Sequence, residues 1–273
     1  MSDELRKRIM TAFFGVSAIL LLVTVGGHIG AAFFAAVMAL GMVFEFSTLS
    51  FTLSDRFEKR NLLLGITWLV AFINFWIPRT EYELLLISFL CLFCYFLFTA
   101  ERHPGQAFSE HFRELMFSVF GILYLAFLPL YLPLIRDSGA GLHWTLLFLF
   151  IVWATDIGAY FAGKKLGKRK LYALISPKKT VEGAIGGTLS GILVALLYKL
   201  IFFHAMNWST VILLPVILAV VSQVGDLCES FLKRASHVKD SGNILPGHGG
   251  FLDRFDGVVF SLPVMYGCMR LFG

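Results

Sequence analysis

Residues 146–163 read LLFLFIVWATDIGAYFAG, and residues 164–180 directly after them read KKLGKRKLYALISPKKT. The first stretch is apolar except for one carboxylate, Asp156. The second carries seven cations: Lys164, Lys165, Lys168, Arg169, Lys170, Lys178 and Lys179. A helix needs about 20 mostly apolar residues to cross about 30 Å of hydrocarbon. Basic residues in a short loop hold that loop on the cytoplasmic side. The two stretches together therefore predict a membrane helix with its orientation marked. Gly158, Ala159, Ala162 and Gly163 would let a neighbouring helix approach it closely.

The pattern repeats in both directions. Apolar segments fall near 9–25, 29–49, 61–77, 82–100, 114–135, 143–163, 181–203, 208–227 and 256–272. If all of them cross, the loops alternate sides, and 19 of the 23 Lys and Arg residues share one side. The other four are Arg79, Arg136, Lys199 and Arg270. The expected architecture is an all-α polytopic integral membrane protein of about nine transmembrane helices, N-terminus cytoplasmic, in the cell inner (plasma) membrane. Residues 1–140 form its first region. Residues 141–273 form a catalytic region with cytoplasmic loops at 164–180 and 228–255.

Composition agrees. Of 273 residues, 58% are hydrophobic and only 15% are charged, against roughly 25% charged in a soluble domain. That excludes a disordered chain, and one soluble domain could not cover its surface with so few polar groups. The net charge of +5 speaks of loop placement and membrane lipids, not of nucleic acid. Arg6, Lys7 and Arg8 before the run from Ile9 to Val25 imitate a secretory signal. The run is too long for one, and no small-residue cleavage site follows, so a retained helix is expected. Cys91 and Cys94 form a C-x-x-C inside an apolar run and are read as small apolar side chains.

The first half offers little chemistry. Glu45 is read as an interfacial carboxylate that reaches water. Asp156 is different, because a carboxylate deep in a membrane helix usually faces a polar cavity or a partner. Ser176, Lys178 and Lys179 precede the segment at 181, whose helix N-terminus would complete an anion site. Gly183, Gly187 and Gly191, spaced by four, form a small-residue stripe for helix packing. Such stripes also make a homodimer an expected partner arrangement.

The segment at 208 ends in SQVGDLCESFLKR. On a helix, Ser222, Asp226, Ser230 and Lys233 share a face, with Glu229 flanking it. From Ser230 the chain reads SFLKRASHVKDSGNILPGHGGFLDRFD to Asp256. Cations (Lys233, Arg234, Lys239, Arg254), acids (Asp240, Asp253, Asp256) and a Pro-Gly-His-Gly-Gly turn are packed into 27 residues. Glycine-rich turns expose backbone N–H groups to phosphate oxygens. Carboxylates are the hard ligands that Mg²⁺ prefers. Asp253 and Asp256 are three apart, so they share a helix face. His248 either touches a phosphate or shapes the turn. The set suits phosphoryl or nucleotidyl transfer at a membrane surface.

At these residues the chain resembles the phosphatidate cytidylyltransferases, also called CDP-diacylglycerol synthases. Their signature is S-x-Φ-K-R-x4-K-D-x-[GSA]-x2-Φ-P-x-H-G-G-Φ-x-D-R-Φ-D, with Φ apolar. Every fixed position is met, from Ser230 through Lys233, Arg234, Lys239, Asp240, His248, Gly249, Gly250, Asp253 and Arg254 to Asp256. The resemblance covers about residues 150–273, and the stretches Asp156–Tyr160 and Ser176–Thr180 look like upstream motifs of the family. It implies an Mg²⁺-dependent reaction of CTP with phosphatidic acid, giving CDP-diacylglycerol and pyrophosphate. It implies metal ligation by Asp226 and Asp253, with Asp256 beside them. It also implies catalytic roles for Lys239 and Arg254. Ser176, Lys178, Lys179, Ser230, Lys233, Arg234, His248, Gly249, Gly250 and Asp156 would bind substrate. A transporter and a CTP-dependent lipid kinase are the rival readings, and product analysis separates them.

Overall fold

The computed structural model describes residues 3–51, 56–77, 80–100, 108–236, 238, 241–242, 244 and 249–272. Its long helices are α1 (Asp3–Thr24), α2 (Gly27–Ser50), α3 (Arg56–Trp76), α4 (Glu81–Thr99) and α5 (Phe108–Gly121), then the short α6 (Tyr131–Arg136), then α7 (Gly141–Leu166), α8 (Val181–Ile201), α9 (Trp208–Ala235) and α10 (Leu252–Phe272). Seven helical units among the described residues are long and apolar enough to cross a membrane: α2, α4, the unit from α5 to α6, and α7 to α10. The apolar part of α1 is shorter, Ile9–Thr24. Helix α3 begins with Arg56, Glu58, Lys59 and Arg60. The protein is a polytopic helical membrane protein. Its outward faces suit lipid, since Phe13, Phe72, Phe98 and Leu271 stand exposed on helix surfaces.

The segment expected as one helix over 114–135 is broken. Residues Ile122–Phe127 widen into a π-turn and Leu128–Leu130 tighten into a 3₁₀ turn before α6. Pro129 and Pro133 lack the N–H groups that a continuous helix needs there, so the backbone re-routes. The loop at 164–180 is ordered too. Strands β1 (Lys170–Tyr172) and β2 (Ser176–Thr180) form a small antiparallel hairpin, a departure from an all-α chain.

Helices α7 and α8 pack more extensively than any other pair. A Cβ at Gly187 would lie 3.1 Å from that of Ala159 and 2.6 Å from the Thr155 carbonyl oxygen, so only glycine permits this approach. The stripe Gly183, Gly187, Gly191 is thus covered by α7 of the same chain, and it is not available as the dimer face expected from sequence. Helices α9 and α10 cross at Gly225 and Gly257. That crossing brings the end of α9 against the start of α10.

Several cations that the sequence assigns only to loops are structural. Lys59 is buried in an ion pair with Glu114 at 2.6 Å. Lys199 folds back on the carbonyls of His204 and Met206, under the Trp208 ring. Arg136 donates to the Val23 carbonyl at 2.9 Å.

Candidate active site

The hairpin and the ends of four helices enclose a cleft of about 580 Å³, a size ordinary for a small-molecule site. Asp156 of α7, Lys178 and Lys179 of β2, Asp226 of α9, and Asp253, Arg254 and Asp256 of α10 all line it. These residues come from separate sequence motifs, and the fold brings them to one cleft. Lys164, expected as a pure anchor, stands at the same cleft with its ammonium over the Tyr160 ring.

Three carboxylates converge. Asp226, Glu229 and Asp256 each offer an oxygen, all within 4.8 Å of one another. Such crowding is unfavourable without positive charge between them. Part of that charge is built in: Lys179 Nζ meets Asp226 Oδ2 at 2.5 Å and Lys233 Nζ meets Glu229 Oε2 at 2.6 Å. Glu229 is buried, and its Oε1 has no hydrogen-bond partner among the described residues. Oxygen-only donors with an orphaned buried oxygen among them fit a hard divalent cation such as Mg²⁺. Glu229, only a flanking residue in the sequence reading, is therefore the third acid. The spacing of three from Asp226 was the available signal.

Asp253 is used differently from the expected pairing with Asp226. Its Oδ1 accepts from Lys233 Nζ at 2.5 Å. Its Oδ2 accepts from Ser241 Oγ at 3.1 Å and from the Gly250 N–H at 3.2 Å. It sits in the first turn of α10, where the helix dipole favours an acid. Lys233 thus bridges Glu229 and Asp253, tying α9 to α10 beside the cleft-lining Asp253.

The remaining expected residues surround this centre. Ser230 Oγ lies 3.5 Å from Asp226 Oδ1. Arg234 is exposed and turns away to the Ile175 carbonyl, steadying the hairpin. Ser176 is a β2 residue paired with Tyr172 and does not line the cleft. Gly249 adopts φ +81°, a left-handed turn that glycine makes without strain. Lys239, Asp240 and His248 lie outside the described residues. At the start of α8 the expected anion site is partly filled by the chain itself. Thr180 Oγ1 accepts the Gly183 N–H at 3.1 Å, and Glu182 turns back to the Lys168 and Arg169 amides. Lys178 and Lys179 remain at the cleft wall.

Glu45 departs most from expectation. It is 1% exposed and accepts from Ser241 Oγ at 3.0 Å and from the Leu252 N–H at 2.9 Å. It does not reach water at an interface.

The model of the cytidylyltransferase family matches residues 6–272. A phosphatidate cytidylyltransferase of Brucella suis biovar 1 is 37% identical over 265 residues, 97% of this chain and 93% of the relative. The one from Bacillus subtilis is 35% identical over 282 residues, covering 98% and 99%. One from Staphylococcus saprophyticus is 44% identical over 155 residues, covering 56% and 58%. A family match over residues 6–272 and relatives of 35–37% identity over nearly the whole chain place this chain in the cytidylyltransferase family, among its phosphatidate cytidylyltransferases.

Proposed function

We propose that the chain joins CTP and phosphatidic acid to give CDP-diacylglycerol and pyrophosphate at the cytoplasmic face of the membrane, with Mg²⁺. The observation that carries this reading is the cleft where Lys178, Lys179 and Arg254 stand beside Asp226 and Asp256. A cytosolic nucleotide needs such a site on the cytoplasmic side, and the 19-to-4 distribution of Lys and Arg supports that orientation. It also supports nine crossings, with α1 and α3 added to the seven units that qualify by length and apolarity.

The phosphatidate phosphate is already largely ionised near neutral pH. One of its oxygens bonds to the α-phosphorus of CTP while the bond from that phosphorus to the bridging oxygen breaks. The electron pair leaves with pyrophosphate. No strong base is needed, so the protein's task is to align two anions and offset their charge. Lys179 can exchange its contact with Asp226 for a phosphate oxygen, and Lys178 and Arg254 face the same space. Asp226, Glu229 and Asp256 are the residues that would hold the metal. When bound there, Mg²⁺ supplies positive charge to phosphate oxygens. Lys239 belongs with the cations by its place in the signature.

Sealed membrane vesicles test reaction and orientation together. Inside-out vesicles given labelled CTP, phosphatidic acid and Mg²⁺ should form a lipid-soluble cytidine product and pyrophosphate. Right-side-out vesicles should not, because CTP cannot cross. A phosphorylated lipid with released CDP would mean a kinase, and solute flux without nucleotide turnover would mean a transporter.

A further inference from the structure

Glu45 lies near the end of α2, in the half of the chain that contributes no residue to the cleft lining. Its carboxylate is inserted into the connection between α9 and α10. Oε2 takes the Ser241 hydroxyl and the N–H of Leu252, the first residue of α10. Oε1 has no hydrogen-bond partner among the described residues and lies against Gly242, where a Cβ would stand 2.5 Å from it. At Gly250 a Cβ would stand 2.7 Å from Oε2. The backbone at 242 and 250 is thus wrapped around one buried carboxylate. Burying a carboxylate is costly unless hydrogen bonds replace its water, and here the loop and the helix start supply them.

The same Ser241 hydroxyl lies 3.1 Å from Asp253 Oδ2. One hydroxyl hydrogen serves one acceptor at a time. Each acid has a donor of its own besides: Glu45 has the Leu252 amide, and Asp253 has the amide of Gly250 at 3.2 Å. Asp253 then holds Lys233, and Lys233 holds Glu229 of the acid cluster. A continuous line of polar contacts runs from α2 to the cleft.

We propose that Glu45 is a positioning residue for the transfer reaction. It fixes Ser241 and the first turn of α10, so that Asp253 and Arg254 stay in register with Lys233 at the cleft. The inference rests on the functional reading above and adds a residue that touches neither substrate nor metal.

The test uses the full chain purified in detergent, with Glu45→Gln, Ser241→Ala, their double variant, and Gly242→Ala. The methyl of Gly242→Ala would meet Glu45 atoms first, the nearest being Oε1 at 2.5 Å. The readouts are kcat, the KM for CTP and the melting temperature. Glu45→Gln should raise the KM for CTP about tenfold, the scale of one hydrogen bond to a charged group. The double variant should be no worse than the worse single one, because both act along one line. Gly242→Ala should reproduce the KM shift even if Glu45→Gln proves hard to fold. Loss of folded protein lowers kcat but cannot move a KM. An unchanged KM in both Glu45→Gln and Gly242→Ala, with an active parent, overturns the proposal, and so do multiplicative losses in the double variant. A parent that makes no cytidine lipid overturns the functional reading instead, and this one with it.

Discussion

Two ion pairs of nearly equal length sit in the two halves of the molecule. Lys59 and Glu114 meet at 2.6 Å, and Lys179 and Asp226 meet at 2.5 Å. Their surroundings are opposite. The first pair is sealed, with side chains 2% and 1% exposed, and its ammonium also sits near the Phe51 and Phe96 rings. The second opens on the cleft, with 22% and 43% exposed. A sealed pair suits a scaffold, because separating its partners costs their mutual attraction in a buried setting. An open pair can exchange: the lysine for a phosphate oxygen, the aspartate for a metal. Exposure, not the residue types, separates these two ion pairs.

The largest effect should come from attacking the open side. Asp226→Asn and Asp256→Asn keep side-chain size but remove the charge on which cation binding depends. Turnover should fall at least ~10³-fold, more than the loss of a single stabilising donor in an active site usually causes. Protein yield and melting should stay near the parent, and excess Mg²⁺ should recover little activity. Asp253→Asn refines the comparison, since Asp253 is held by Lys233, Ser241 and Gly250 and is not among the three converging acids. It should lose less than Asp256→Asn in the same labelled-CTP assay. The reverse order would move the proposed metal site from the Asp226–Glu229–Asp256 cluster to Asp253.

The sealed pair should break differently. Lys59→Met leaves the Glu114 carboxylate buried without its ammonium, a loss typically of about 3–5 kcal/mol. Melting temperature in detergent should drop sharply, while the molecules that remain folded should turn over CTP within about twofold of the parent. Adding Glu114→Leu should restore much of the stability, because an apolar pair of similar volume is often no worse than a buried ion pair. A well-folded but inactive Lys59→Met would give the first half a direct role in chemistry and end the distinction.

Much of this was legible in the chain itself. Residues 146–180 announced a membrane helix and its basic flank, and the glycine spacing at 183, 187 and 191 announced close packing. Asp226, Asp253, Arg254 and Asp256 were readable as one group because they lie close in the sequence, and the fold brings all four to one cleft. What was missed depends on long-range contact. Nothing near Glu45 in MVFEFSTLS signals that its partners are Ser241 and Leu252. Nor does Lys59 reveal Glu114, so it was counted among loop cations. The fate of Asp253 is similar: spacing put it beside Asp256, but Lys233 arrives from another helix and claims it. The broken helix at 122–130 was readable locally from Pro129 and Pro133, yet hydropathy alone hides it.

The smallest effect should lie where a charge pair faces water. Arg169 Nε meets Glu182 Oε1 at 3.2 Å, but the arginine side chain is 74% exposed. An exposed pair of this kind is worth about 0–1 kcal/mol and is screened by salt. Glu182 also accepts the backbone N–H groups of Lys168 at 2.9 Å and Arg169 at 3.1 Å. Those bonds close the hairpin and survive truncation of the arginine side chain. Arg169→Ala should therefore shift the melting temperature by only a degree or two, and any difference should vanish in high salt. Turnover and the KM for CTP should stay within about twofold of the parent, because the residue lies outside the cleft lining. Lys179→Ala, in the same hairpin but paired at the cleft, supplies the contrast and should lose about 10²-fold. Equal losses at Arg169 and Lys179 would mean that the whole hairpin contributes to binding phosphate.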